Sequence, residues 1–264
     1  MGTTTTVEQS GALAVVDSLW RGTRVDRVIA PTADILRAAS EGDLDLVITH
    51  APELDAKWLA GNRAALTCPF VSSGFVLVGP TSDPAGVAQA RTAVDAMRRI
   101  AGRQVVFVSS SDSSPTHLKE LALWQRAGVR PRGTPWYVES QSSVAATLAT
   151  ADDRRAYALA DLPTLAHVQN LRLRPLFNAD PVLVSPFTLY VVRKTPEHPA
   201  ARPFVTWALT TWRSQLTGLR LADGTSAFVA REDHCGPAPK KAEAPKRAEA
   251  PPKLKKKAPA KARR

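Results

Sequence analysis

The sequence predicts an α/β fold, and three observations support this prediction. Strand-like and helix-like segments alternate from residue 3 to about residue 230, which is typical of a sheet covered by helices rather than of an all-β or all-α domain. The chain has 264 residues with 44% hydrophobic side chains, enough for one large or two small packed domains. Several helix-like segments also begin with polar residues, as capped helices do.

The predicted elements follow from local patterns of apolar residues. Short apolar runs predict strands at 27–30, 44–49, 75–79, 104–108, 156–160 and 187–193. Apolar residues near helical spacing predict helices at 11–21, 33–41, 86–100, 116–127, 144–151, 162–169 and 199–216.

The positive charge of the chain is concentrated at its C-terminal end. The formal net charge is +11, but residues 240–264 hold eleven Lys/Arg against two acids, which leaves 24 basic and 22 acidic side chains elsewhere. The folded part is therefore expected to be nearly neutral. Residues 236–264 are rich in Ala, Pro and Lys and poor in large apolar side chains, so this segment is predicted to be a disordered basic tail.

Neither a membrane span nor an export signal is expected from the sequence as written. It has no run of eighteen apolar residues, and its first thirty residues lack a basic segment followed by an apolar one. Cys68 and Cys235 are the only cysteines. Two free, partly buried thiols are the simpler expectation, and a single disulfide stays open as the alternative.

Six ordered groups of residues, spread over about 3–215, match a known family. The strongest is the run Phe107-Val108-Ser109 through Asp112, Ser114, Thr116-His117 and Lys119 to Trp124. The others are Thr3 to Thr6 with Ser10-Gly11; Asp43 to Val47 with His50 to Glu53; Phe75 to Pro80 with Asp83 to Gly86; Trp136-Tyr137 with Glu139; and Ala146 to Leu148 with Ala151-Asp152 and Ala156-Tyr157. By these segments the chain resembles the substrate-binding component of tungstate-type ABC importers.

The resemblance implies a two-lobed class II periplasmic binding protein fold with the anion held between the lobes. Lobe one is expected at 1–79 and 182–235, and lobe two at 80–181. The two segments that cross between them would form the hinge. The resemblance also implies a monomer in the periplasm or another extracytoplasmic compartment that delivers its ligand to an ABC transporter permease.

The expected ligand is an oxyanion, tungstate or molybdate, which needs hydrogen-bond donors from the protein. Helix N-termini supply unpaired N–H groups and a favourable dipole. Thr5 and Thr6 are expected before a helix that begins near Ser10. Two serine-rich loops are expected before later helices. The candidate ligand-binding residues are Thr5, Thr6, Ser109, Ser110, Ser114, Thr116, Ser142 and Ser143.

The chain departs from the family at some of these positions. Ser110 stands where the family has Arg, and the family's Thr-Gly-Gln-Gly loop is replaced by residues 140–143, Ser-Gln-Ser-Ser. The donors are therefore expected to be neutral. These departures and the tail motivate a second hypothesis, a ligand-less copy that acts as an adaptor and binds nucleic acid or acidic partners, such as an anionic surface, through the basic tail.

The protein is not expected to be an enzyme, to use a cofactor or to bind a metal. The sequence has no Gly-x-Ser-x-Gly nucleophile elbow, and His117 next to the serine-rich segment is better explained as a residue in the first turn of a helix. The other histidines, His50 among them, are scattered without the spacing of metal ligands.

Overall fold

The computed structural model describes residues 1–112, 114–231 and 234–237. Within this part of the chain it contains ten helices, three of them longer than ten residues. The helices are α1 (Thr5–Gln9), α2 (Ala12–Leu19), α3 (Thr32–Glu41), α4 (Pro52–Leu59), α5 (Ala93–Arg103), α6 (Pro115–Ala127), α7 (Val144–Arg154), α8 (Leu162–His167), α9 (Ala201–Trp207) and α10 (Arg213–Gly218).

Ten strands accompany these helices in the same described residues, so the predicted α/β class is confirmed. The strands are β1 (Gly2–Thr3), β2 (Val28–Ile29), β3 (Leu46–Thr49), β4 (Ala64–Gly79), β5 (Phe107–Ser109), β6 (Tyr137–Glu139), β7 (Ala158–Asp161), β8 (Arg174–Phe177), β9 (Val184–Val192) and β10 (Val229–Ala230). Short 3₁₀ turns lie at Val87–Gln89 and Pro181–Leu183, and a π-helical segment, Ala208–Trp212, joins α9 to α10.

The long strand β4 connects the two parts of the sheet structure. Its first eleven residues, 64–74, pair antiparallel with β9, and β9 pairs on its other side with β3. The last residues of β4, 75–79, pair instead with β7 and β8. The chain thus passes along β4 from one sheet region into the other and returns through the turn at Pro181–Leu183 into β9.

The apolar core is divided into clusters that do not follow the two parts of the sheet, because the cluster built on β3 and β9 also includes Val76 of β4 and Ala160 of β7. One core includes β3, β9 and the helices α9 and α10, with Phe70, Phe204 and Trp212 fully buried. Another packs β5, α5 and α6 around Phe107 and Trp124, whose rings meet edge to face at 5.2 Å. The short strands β5 and β6 are parallel neighbours at the edge of this second core.

Two element predictions are corrected by the structure. The predicted strand at 75–79 is only the end of β4. Its first part was missed because Pro69 interrupts the strand pattern, and the structure accommodates this proline at a register shift between Pro69 and Val71. The helix predicted from residue 86 starts at Ala93 instead, where Thr92 accepts a hydrogen bond from the N–H of Asp95 and caps the helix.

Cys68 and Cys235 form a disulfide, so the expectation of two free thiols is wrong. Cys68 lies fully buried in β4. Next to the bridge, Gly236 exchanges two backbone hydrogen bonds with Thr67, at 2.8 and 3.0 Å. This contact places Gly236, the first residue of the predicted tail, against β4.

The rest of the predicted tail lies outside the described residues, which end at Pro237. Within the described chain, no helix has both the length and the apolar character that crossing a bilayer requires.

The disulfide closes a loop of 167 residues and should stabilise the fold by restricting the unfolded chain. We expect the double variant Cys68→Ala/Cys235→Ala to lower the free energy of unfolding by about 2–5 kcal/mol, measured by urea denaturation followed by circular dichroism. Treating the wild type with a reductant should reproduce the loss. An unchanged denaturation midpoint after full reduction would contradict this account.

Candidate functional site

Two serine-rich loops lie side by side at one end of the small parallel sheet. They follow β5 and β6, and the carboxyl ends of parallel strands are a frequent place for ligands. The backbone N–H and the hydroxyl of Ser140 both donate to the carbonyl of Ser109, each at 2.9 Å. The N–H of Ser142 donates to the carbonyl of Ser110 at 3.0 Å. The structure thus places three of the predicted residues in one pair of interlocked loops.

Two other predicted residues, Ser114 and Ser143, are the N-caps of the helices that follow these loops. The hydroxyl of Ser114 accepts a hydrogen bond from the N–H of His117, and the hydroxyl of Ser143 accepts one from the N–H of Ala146, both at 3.3 Å. A serine that accepts in this way still has its own O–H to donate. Both residues therefore fix a helix start and keep one donor.

The loop after β5 is held in shape by its own polar groups. The hydroxyl of Ser110 donates to Asp112 at 2.9 Å, and the N–H of Ser114 donates to the same carboxylate oxygen at 3.0 Å. Ser111 has a left-handed backbone, with φ of 50°, and its hydroxyl donates to Glu139 at 2.8 Å. These bonds give both acidic side chains partners within the protein and fix the shape of the loop.

Thr116, in the first turn of α6, contacts a buried carboxyl group. Its hydroxyl donates to Asp161 at 3.2 Å, and the other oxygen of Asp161 accepts from the N–H of Thr164 at 2.9 Å. Burial raises the pKa of Asp161 above its usual value, although these hydrogen bonds oppose the shift. The carboxyl group therefore carries its negative charge less readily, which reduces its repulsion of a nearby anion.

Glu120 lies beneath the loops, against the fully buried Ser109. Its Oε1 accepts hydrogen bonds from the hydroxyl of Tyr137 at 2.7 Å and from the indole N–H of Trp124 at 3.0 Å. Burial raises its pKa to about 7. Glu120 therefore connects Trp124 and Tyr137 in the core beneath the loops.

His50 joins separate parts of the chain and was not among the predicted site residues. Its Nε2 is 3.1 Å from the hydroxyl of Thr4, and its Nδ1 is 3.2 Å from the hydroxyl of Ser185. Its ring stacks on Phe187 at 4.7 Å. Burial lowers the pKa of His50 to about 4, so the ring is neutral at neutral pH. Its position directly after the buried strand β3 is the sequence signal for this role, whereas the spacing of the histidines indicates only that they are not metal ligands.

The sequence predicts that Thr5 and Thr6 precede a helix that begins near Ser10. The structure corrects this prediction. Both threonines form the first turn of α1, and the next helix begins after Gly11. The backbone at Gly11 runs so close to α8 that an added Cβ would lie 2.2 Å from Nε2 of His167. Between described residues, no hydrogen bond joins Thr5 or Thr6 to the serine-rich loops, so their shared role in binding stays a prediction.

A surface groove elsewhere is a poorer candidate for an anion. It has a volume of about 380 Å³ and is lined by both acidic and basic side chains. Arg27 pairs with Asp17, and Arg24 pairs with Asp26 at 2.9 Å. These pairs use the positive charges that an anion would need.

The fold, with its two sheet regions joined through β4, and the polar loops after β5 and β6 fit a protein of the periplasmic-binding class. The model of the PBP superfamily domain matches residues 1–212, and the chain belongs to that family. The expected two-lobed periplasmic binding protein fold is confirmed by this match and by a solved relative of the same fold.

Three relatives show where the chain lies within the family. A Haloferax volcanii protein, provisionally named an ABC transporter anion-binding protein, is 32% identical over 79% of this chain, which spans only 62% of that protein's length. Tungstate-binding protein TupA of Peptoclostridium acidaminophilum is 28% identical over 83% of this chain and 79% of its own length. The crystal structure of the tungstate ABC transporter from Geobacter sulfurreducens is 31% identical, with a TM-score of 0.64 over 81% of this chain and 97% of that one. The resemblance to tungstate-type binding proteins is confirmed.

The raised pKa of Glu120 should appear in the pH dependence of stability. The folded chain keeps this proton up to about pH 7, whereas the unfolded chain releases it near 4.5. The stabilisation is thus complete below the lower value and is lost as the pH rises through the higher one. In Glu120→Gln, which keeps an acceptor for Tyr137 and Trp124, this loss should disappear.

The quantity to follow is the free energy of unfolding of Glu120→Gln minus that of the wild type. We expect this difference to rise by on the order of 2 kcal/mol between about pH 5 and about pH 8, measured by urea denaturation. The other titrating groups, His50 among them, are common to both proteins and cancel in the difference. A difference that does not change with pH would contradict the assignment.

Proposed function

We propose that this protein is a solute-binding protein that captures an oxyanion, tungstate or molybdate, and presents it to the permease of an ABC importer. The observation that carries the proposal is the family membership together with relatives named for tungstate or anion binding. In this reading the oxyanion is cargo. The protein itself catalyses no reaction and needs no cofactor.

The chemistry of the serine-rich loops supports an oxyanion ligand. A tetrahedral oxyanion offers only acceptors, and a buried anion is stable only if each oxygen receives hydrogen bonds. The loops present hydroxyl and backbone donors, while their acidic side chains, Asp112 and Glu139, are already occupied by other partners. We propose that Ser109, Ser110, Ser114, Thr116, Ser142 and Ser143 bind the oxyanion from one side, and that Thr5 and Thr6 bind it from the other. Ser114 and Ser143 keep a hydroxyl donor, whereas the hydroxyls of Ser110, Thr116 and Ser142 would turn to the ligand from their present acceptors.

We propose that the ligand is enclosed by hinge bending between lobe one, 1–79 and 182–235, and lobe two, 80–181. The pairing of β4 supports this division, because the strand changes partners from β9 to β7 at Gly74 and Phe75. The hinge would then comprise the end of β4 and the turn at Pro181–Leu183. A closed conformation gives the permease a means to recognise a loaded protein.

We propose an extracytoplasmic location, such as the periplasm. The disulfide between Cys68 and Cys235 supports this location, since such bonds persist mainly in oxidising compartments. We also propose that the protein acts as a monomer, because a single chain supplies both sides of the site.

Titration calorimetry of the full chain with tungstate, molybdate, sulfate and phosphate tests the proposal. We expect saturable, one-to-one binding of tungstate or molybdate. In Thr6→Val, affinity should fall by about tenfold, since the isosteric valine removes only a donor. The hydroxyl of Thr6 forms no hydrogen bond with another described residue, so stability should change little.

The matched control is Thr206→Val, which removes an exposed hydroxyl on α9 and should bind like wild type. Heat signals absent with all four anions would overturn the proposal.

The concentrated charge of residues 240–264, eleven Lys/Arg against two acids, motivates a second proposal. We propose that this segment attaches the protein weakly to nucleic acid or to an anionic surface, in addition to oxyanion binding. Electrostatic attachment of this kind falls steeply with salt. The adaptor that has lost its ligand is the less favoured alternative.

Sedimentation with anionic lipid vesicles, and gel shift with duplex DNA, should show binding by the full chain at low salt. Binding should disappear in a chain that ends at residue 237, while tungstate affinity stays the same. Equal binding by both chains would contradict a role for the tail.

A further inference from the structure

Lys119 lies at the junction where both crossing segments of the chain meet. Its Nζ donates a hydrogen bond to the carbonyl of Val182 at 2.8 Å, within the turn that leads into β9. The same Nζ lies 5.4 Å from the ring centroid of Phe75, at the point where β4 changes partners. The cation thus contacts both segments of the proposed hinge.

This cation is half-buried and has no counter-ion among the described residues. Among the described residues, no carboxylate forms a salt bridge with Lys119. Burial, followed by the charge of Arg126, lowers its pKa, and Glu53 raises it only through space. A carbonyl and an aromatic face compensate a desolvated ammonium only in part. An unpaired, half-buried charge therefore favours an anion beside it.

Apart from the charges of Arg126 and Glu53, the groups around Lys119 offer hydrogen bonds rather than charge. Thr116 lies one helical turn before it on α6, on the same side of the helix. His50, neutral because of its burial, is close enough to Lys119 for the ammonium charge to lower its pKa further. The ring of His50 in turn contacts Thr4 and Ser185. The positive charge of Lys119 thus reaches polar groups on both sides of the junction.

We propose that Lys119 is a specificity-determining residue that binds the oxyanion directly and selects a doubly charged anion over a singly charged one. An ammonium group has three N–H donors, and Val182 uses one of them. The remaining two are available to oxygens of a ligand between the lobes. This inference rests on the proposed function, and its test must separate the two.

The test compares tungstate with perrhenate, a tetrahedral anion of similar size and half the charge. In Lys119→Met, we expect tungstate affinity measured by calorimetry to fall by about tenfold or more, because a short-range charge interaction is lost. Perrhenate affinity should fall less, so the ratio between the two affinities should shrink. Lys119→Arg should keep that ratio within about threefold of wild type.

Lys57→Met is the matched control, because it removes the same charge from an exposed lysine on α4 and should leave both affinities unchanged. If Lys119→Met fails to fold, as judged by circular dichroism, Lys119→Gln carries the test with a neutral side chain that can still donate to Val182.

The outcomes distinguish the two proposals. Tungstate binding by the wild type with an unchanged tungstate-to-perrhenate ratio in Lys119→Met or Lys119→Gln would overturn the role of Lys119 and leave the proposed function standing. No tungstate binding by the wild type would overturn both.

Discussion

The pairing of β4 with β9 is the constraint on which the rest of the structure depends. Over eleven residues, 64–74, β4 joins β9 in one sheet, and its last five residues belong to the other sheet region. Residues of three core clusters therefore lie on this one strand. Because β9 starts directly after the turn at Pro181–Leu183 and its first residue pairs with Gly74, the two crossings of the chain lie close together.

The polar groups at this junction are arranged so that negative charge is low and donors are many. The carboxyl group of Asp161 is buried with a raised pKa, the ring of His50 is neutral, and Lys119 remains as a cation without an ion pair among the described residues. Polar groups that the fold holds in place do not have to reorganise around a charge. They therefore stabilise that charge more effectively than water does. The same arrangement would disfavour a cation.

The sequence predicted best those features that depend on near neighbours. The helix starts at Ser114 and Ser143 were visible because a cap and its helix lie within four residues of each other. The contacts of His50 were not, since its partners Thr4 and Ser185 are 46 and 135 residues away. The disulfide spans 167 residues and needs the edge of β4 to bring its cysteines together. The contacts of His50 and the disulfide therefore depend on long-range pairing through the fold, which a local sequence pattern does not reveal.

The most direct measurement is a crystal structure of the full chain grown with tungstate, with tungsten located by its anomalous scattering. The account predicts one strong peak between the serine-rich loops and α1. The peak should lie within hydrogen-bonding distance of the loop that contains Ser110 and of Thr6. A peak at the charged groove near Arg27, or none in crystals soaked at saturating tungstate, would contradict it.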